Sequence, residues 1–237
     1  MRLLTETILS SMLIACVTFI VPAKSYADPN SAKRLAQFAK LPNWSGVWES
    51  IANNGALPDP QFSGIWLQKH TAKKPVTEPV DNAISRCVWG MPRLLKSMHA
   101  FEVTVLPEQT FFGYEINEFR HVWTDGRKHP LHVTPANTGY SIGHWEGTTL
   151  VIETNGMQPG LWINHKGGIL SPRASLQERW SQVDVDHLKV DVTIQDPAAL
   201  VKPFMFTRRF QRIADTNRLV QKQCFEEPRE QNKDAQT

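Results

Sequence analysis

The sequence predicts a mainly β protein, organised as one antiparallel up-and-down barrel with long loops. Short segments of alternating apolar and polar residues follow one another through most of the chain, and turn-forming residues separate them. Helical periodicity between these segments is weak. A meander of this length is best protected when it closes on itself, because closure removes unpaired strand edges. The predicted architecture is therefore lipocalin-like, and a β-sandwich is the alternative.

The clearest strand signal covers residues 187–195. Its apolar residues Leu188, Val190, Val192 and Ile194 alternate with polar ones, which places one face in a core and the other in water. The other predicted strands cover residues 44–49, 101–105, 110–115, 119–124, 139–146, 149–154, 176–182, 204–213 and 219–225. Residues 62–66 repeat the aromatic pattern of the first strand. The dipeptide Asp125-Gly126 predicts a tight hairpin turn.

The amino terminus predicts export. Residues 1–27 contain an early cation, an apolar run and the small-residue site Ser25-Tyr26-Ala27, which together are typical of a signal peptide. The apolar run is shorter than the roughly 20 residues that span a bilayer, so no integral membrane span is expected after processing. A lipoprotein anchored through Cys16 is the weaker interpretation, because the residues after Cys16 stay apolar. The mature protein is expected in the periplasm or secreted.

Removal of the signal leaves a chain that fits one domain. Residues 28–43 read as a polar lead segment, 44–226 as the barrel domain and 227–237 as a disordered polar tail. Once Cys16 is set aside, Cys87 and Cys224 remain, and an even pair in an oxidising compartment predicts one disulfide. Two separate buried thiols are the alternative.

Charge and composition exclude one class of partner. The formal net charge is +3 and the charged residues are scattered. Nucleic-acid binding requires a clustered basic face, so no nucleic-acid partner is expected. The sequence does not indicate an oligomeric state.

Candidate catalytic residues concentrate in residues 120–146, which contain four of the eight histidines. His144 and Glu146 share one face of a predicted strand, and a carboxylate beside an imidazole suits acid/base catalysis. Asp125 and Arg127 are placed with them at the predicted turn. The alternative is a hydrogen-bonded cluster that only braces the chain. Convergence inside a concave pocket would favour catalysis, whereas placement on the outer wall would not.

A small apolar or aromatic ligand is the predicted partner. The candidate ligand-binding residues are Trp123, His129, Tyr140 and Trp162, the last in a Gly-rich loop that has the length of a lid. His129, His132, His144 and Glu146 are chemically reasonable zinc or iron ligands, which leaves a metal centre as an alternative. No metal site is assigned, because their spacing matches no standard ligand pattern, and no cofactor is expected. The predicted function is binding of this ligand by an exported barrel. A cofactor-independent lyase, isomerase or hydrolase, and a structural envelope protein, are the alternatives.

Several motifs resemble those of a known group. Asp125-Gly126-Arg127 followed by His129-Pro130, then Ser141-Ile142-Gly143, Trp145-Glu146-Gly147 and Thr149-Leu150-Val151, occur in this order. The chain thereby resembles an uncharacterised family of secreted bacterial proteins, over about residues 44–225. The resemblance implies an exported β fold and implies no particular activity.

Overall fold

Nine β-strands close into a barrel in the part of the chain that the structure, a computed structural model, describes. The described residues are 31–55, 57–72, 89–96, 99–160, 163, 168–216 and 219. The strands are β1 (Gly46–Ser50), β2 (Phe101–Val105), β3 (Gln109–Tyr114), β4 (Glu118–Trp123), β5 (Tyr140–Glu146), β6 (Thr149–Asn155), β7 (Ser175–Asp184), β8 (His187–Gln195) and β9 (Phe204–Ile213). The predicted mainly β barrel is confirmed.

Each strand pairs with its neighbours in sequence, and β1 closes the barrel against β9. The predicted meander differs from the structure at one junction. Strands β4 and β5 are parallel, with Val122 opposite Ser141, while all other neighbouring strands in the barrel are antiparallel. A parallel pair needs a crossover connection of about a dozen residues or more, and residues 124–139 supply it. Asp125-Gly126 therefore begins this crossover, and the predicted hairpin turn there is wrong.

The loops that join β1 to β2, β6 to β7 and β8 to β9 all leave one end of the barrel, named here the long-loop end. Strand β8 follows the predicted alternation, with the four apolar residues buried and the strand ends exposed. The barrel interior is packed with aromatic rings. Trp180 stacks on Phe210 at 5.4 Å between ring centroids, and Phe101 meets Phe210 edge-on at 4.9 Å. Trp44, Trp48 and Trp180 are fully buried, so these tryptophans serve the core.

The helices are short. Helix α1 (Ser31–Phe38) falls in the predicted lead segment, and helix α2 (Gly64–Ala72) and a 3₁₀ helix (Arg93–Lys96) precede β2. Residues 62–66, which repeat the aromatic pattern of the first strand, run into helix α2 at Gly64. The main-chain oxygen of Ser63 accepts hydrogen bonds from the amides of Trp66 and Leu67, which is the position of an N-cap residue.

Some predictions concern other parts of the chain. The signal peptide and the polar tail lie outside the described residues. Cys87 and Cys224 lie outside them as well, so the disulfide stays a prediction. Among the described residues, no helix is both long and apolar enough to cross a membrane.

Candidate functional site

The predicted site residues lie on the outer wall of the barrel, in two groups. Along β5 the buried Ser141 faces inward, so the alternate residues Tyr140, His144 and Glu146 face outward. Trp123 follows the buried Val122 on β4 and also faces outward. The crossover between β4 and β5 then brings one group of predicted residues together.

That group is named here the Trp123 niche and consists of Trp123, Asp125, Arg127, His129 and Tyr140. The guanidinium carbon of Arg127 lies 3.8 Å from the Trp123 ring centroid. Asp125 accepts from Arg127 Nε at 2.9 Å and from Nη2 at 2.6 Å. Arg127 Nη1 donates to the Tyr140 hydroxyl at 3.5 Å, and the rings of Tyr140 and His129 are 5.9 Å apart. The crossover thus joins five predicted residues into one continuous surface.

Asp125 and Arg127, at the centre of the niche, stabilise each other as an ion pair. The hydrogen bonds from Arg127 lower the pKa of Asp125, and the same contacts raise the pKa of Arg127. The cation also faces an aromatic ring, which adds a cation–π attraction. Asp125 and Arg127 therefore form a neutral, fixed wall between Trp123 and Tyr140.

His129 is the unsatisfied member of the niche. Both of its ring nitrogens are shielded from solvent, and neither has a hydrogen-bond partner among the described residues. A buried polar group without a partner costs about 1–3 kcal/mol, so such groups in native proteins call for an explanation. His132, three residues further on, is exposed.

His144 and Glu146 form the second group, on the same strand but apart from the niche contacts. His144 Nε2 lies 3.1 Å from Glu146 Oε1, and Arg179 Nη2 lies 2.8 Å from Glu146 Oε2. The side chains of His144 and Glu146 are 60% and 48% exposed. Hydrogen bonds from Arg179 and then His144 lower the pKa of Glu146, so the carboxylate stays charged near neutral pH. The pair lies open to water on the outer wall, the placement that does not favour acid/base catalysis.

The barrel interior holds a polar network that sequence reasoning missed. Arg120 on β4 and Glu178 on β7 are both fully buried, and they are joined by bonds of 2.9 and 2.6 Å. Arg120 also donates to Ser141 at 3.0 Å and to Thr154 at 2.7 Å, and Trp180 Nε1 donates to Glu178 at 2.8 Å. Burial acts to lower the pKa of Arg120, but the charge of Glu178 raises it overall. Strand alternation, which puts Arg120 in line with Val122, is the signal that could have found this pair.

Two open grooves lie at the end of the barrel opposite the long-loop end. The larger has a volume of about 500 Å³ and the smaller about 330 Å³. The larger is lined by Pro42, Asn43, Thr148, Gln182, Asp184 and Val185. The smaller lies between α1 and the turn from β2 to β3. Neither groove is lined by a predicted site residue.

Two further findings bear on the predicted site. Within the described ranges, no three side chains of the metal-ligating types come together. Trp162, the predicted lid residue, lies outside those ranges, so its role stays a prediction.

No protein-family model matches the sequence, and no curated protein is significantly similar to it.

Proposed function

We propose that this protein is an exported barrel that binds a small apolar or aromatic molecule, with the Trp123 niche as the binding surface. The observation that carries the proposal is His129, which lies beside the ring of Tyr140 and whose two ring nitrogens have no partner within the described ranges. A planar ligand lying on Tyr140 would give these nitrogens a hydrogen-bonding edge after a small rotation of the imidazole. Ligand sites of this kind combine apolar or aromatic walls with a few placed polar groups.

The niche suits an uncharged ligand. Asp125 neutralises Arg127 through hydrogen bonds to two of its nitrogens, so the wall presents no net charge to a molecule beside it. Aromatic rings offer stacking or edge contacts at centroid distances of about 4.5–7 Å. The packed interior, by contrast, is filled with tryptophan and phenylalanine rings in the described part of the barrel. We therefore place the ligand on the outer wall.

Binding is favoured over the enzymatic alternative. The candidate acid/base pair, His144 and Glu146, is about half exposed and lines neither groove. Water competes for an exposed carboxylate and imidazole, and catalytic electrostatics depend on its exclusion. The niche supplies recognition without requiring a reaction.

A binding assay with a neutral aromatic probe tests the proposal. We expect the fluorescent amine N-phenylnaphthylamine to bind with a Kd in the micromolar range, which corresponds to about −8 kcal/mol. His129→Ala and Trp123→Leu should each weaken binding about tenfold or more. His132→Ala is the matched control, because it removes an exposed histidine of the same crossover.

Two results would reject the proposal. One is the absence of probe binding at about 100 μM, which is far above the expected Kd. The other is equal binding by the wild type, His129→Ala and Trp123→Leu. Circular dichroism of each variant establishes that the fold is intact.

A further inference from the structure

Three cations meet at the long-loop end of the barrel, away from the Trp123 niche. Arg208 on β9 occupies an inward position between the buried Phe206 and Phe210. Arg93 and Lys96 are the first and last residues of the 3₁₀ helix, and residues three apart in such a helix lie on the same side. Arg208 Nη2 donates to the main-chain oxygen of Lys96 at 3.5 Å, so the helix and the strand meet here.

The two arginines are largely removed from water. Arg93 is 9% exposed and Arg208 is 6% exposed. Arg93 Nη1 and Arg208 Nε are shielded from solvent, and neither has a hydrogen-bond partner in the part of the chain that the structure describes. Buried guanidinium groups are normally paired, because an uncompensated buried charge is costly.

Another buried arginine of the barrel, Arg120, is neutralised by a protein carboxylate. Arg120 meets Glu178 through two hydrogen bonds. For Arg208, no hydrogen bond to a carboxylate is found among the described residues, and Nη2 donates to a neutral main-chain carbonyl, that of Lys96. Lys96 Nζ likewise donates to a neutral acceptor, the main-chain oxygen of Ile163, at 2.5 Å.

We propose that Arg93, Lys96 and Arg208 form a binding site for the carboxylate of a small organic acid that has an apolar or aromatic body. Planar guanidinium groups match a carboxylate in pairs of hydrogen bonds, and charge-assisted bonds are the stronger kind. A carboxylate here would supply acceptors to the partnerless atoms of Arg93 and Arg208, and it would add to the negative charge that Asp59 already brings to Lys96.

The surroundings of the cations select the apolar body. The guanidinium carbon of Arg93 lies 4.5 Å from the Trp89 ring centroid. Lys96 Nζ lies 5.4 and 5.6 Å from the ring centroids of Phe204 and Phe206. Aromatic walls around a cationic centre favour a ligand that is charged at one end and apolar at the other over a fully hydrated anion such as inorganic phosphate.

The lowered pKa of Lys96 gives the proposed site a measurable signature. Burial, and then the charge of Arg208, lower the pKa of Lys96 to about 8; Asp59 opposes this shift and Arg93 adds to it. A bound carboxylate would raise that pKa, because an opposite charge favours the protonated amine. Binding should therefore take up protons when it is measured at a pH slightly above 8.

Calorimetric titration with benzoate tests the site. We expect benzoate to bind at least about tenfold more tightly than its neutral analogue benzamide, since charge-assisted hydrogen bonds exceed neutral ones by this order. Arg208→Met should weaken benzoate binding at least about tenfold. Arg209→Gln is the matched control, because it removes the same charge from the adjacent, outward-facing residue of β9 and should leave the affinity unchanged.

Each possible result decides the matter. Equal benzoate affinity in Arg208→Met and the wild type overturns the site, and inorganic phosphate binding as tightly as benzoate overturns the apolar body. If Arg208→Met fails to fold, proton uptake is the test instead. Benzoate binding near pH 8.5 must be accompanied by proton uptake in the wild type and not in Lys96→Met, and equal proton uptake in both overturns the site. Benzoate binding should persist in His129→Ala, so failure here is distinct from failure at the Trp123 niche.

Discussion

Removing one partner of the buried pair Arg120–Glu178 should strongly lower the free energy of unfolding of the barrel. Glu178 accepts three hydrogen bonds, two from Arg120 and one from Trp180 Nε1. In Glu178→Gln the amide can accept through one oxygen only, and its NH₂ group faces other donors. The charge of Arg120 is then left buried without a counter-charge.

The expected loss is about 3–5 kcal/mol in the free energy of unfolding, the range found when one partner of a buried ion pair is removed. The double variant Arg120→Met/Glu178→Leu should recover at least about 2 kcal/mol of that loss, because no unpaired charge remains. It should not recover everything, because Trp180 Nε1 would lose its acceptor. Ser141 and Thr154 would keep each other as partners, at 2.8 Å between their hydroxyl oxygens.

Urea unfolding followed by tryptophan fluorescence measures these values, with unchanged slopes as the test of a two-state comparison. Glu153→Gln is the control, an exposed position on β6 where a change within about 0.5 kcal/mol is expected. A loss below about 1 kcal/mol for Glu178→Gln would refute the reasoning. So would a double variant less stable than the single one.

Two further predictions follow from the exposed pair and from Lys96. His144→Ala should leave the thermal midpoint within about 3 °C of wild type, because surface ion pairs contribute little, and a fall beyond about 10 °C in a thermal melt would contradict this. The depressed pKa of Lys96 means that the unfolded chain binds more protons between about pH 8 and 10.5. Stability should therefore rise with pH across that window in wild type relative to Lys96→Met, and urea midpoints with the same pH dependence in both proteins would exclude it.

The candidate site could be predicted only in part. Trp123, Asp125, Arg127, His129 and Tyr140 were singled out from residue type and proximity in sequence, and the structure does bring them together. Their meeting depends on the parallel pairing of β4 and β5, which a hairpin at Asp125-Gly126 would not produce. Neither the network around Arg120 nor the cations around Arg208 are predicted, because residue type alone does not say whether a charged residue on a strand points into the barrel.

The sequence by itself was enough to predict the strand pattern and the barrel class, and it is the sole basis for the predicted export signal. Period-2 alternation needs only neighbouring residues, as in β8, and so it can be read locally. The tertiary structure decided which charged side chains point inward and which partners they meet. Arg208 and Arg209 are adjacent and identical in type, yet one is buried and the other is exposed. Whether each arginine is buried depends on strand register and on groups more than a hundred residues away, such as Lys96. Contacts of this kind cannot be inferred from the neighbouring residues in the sequence.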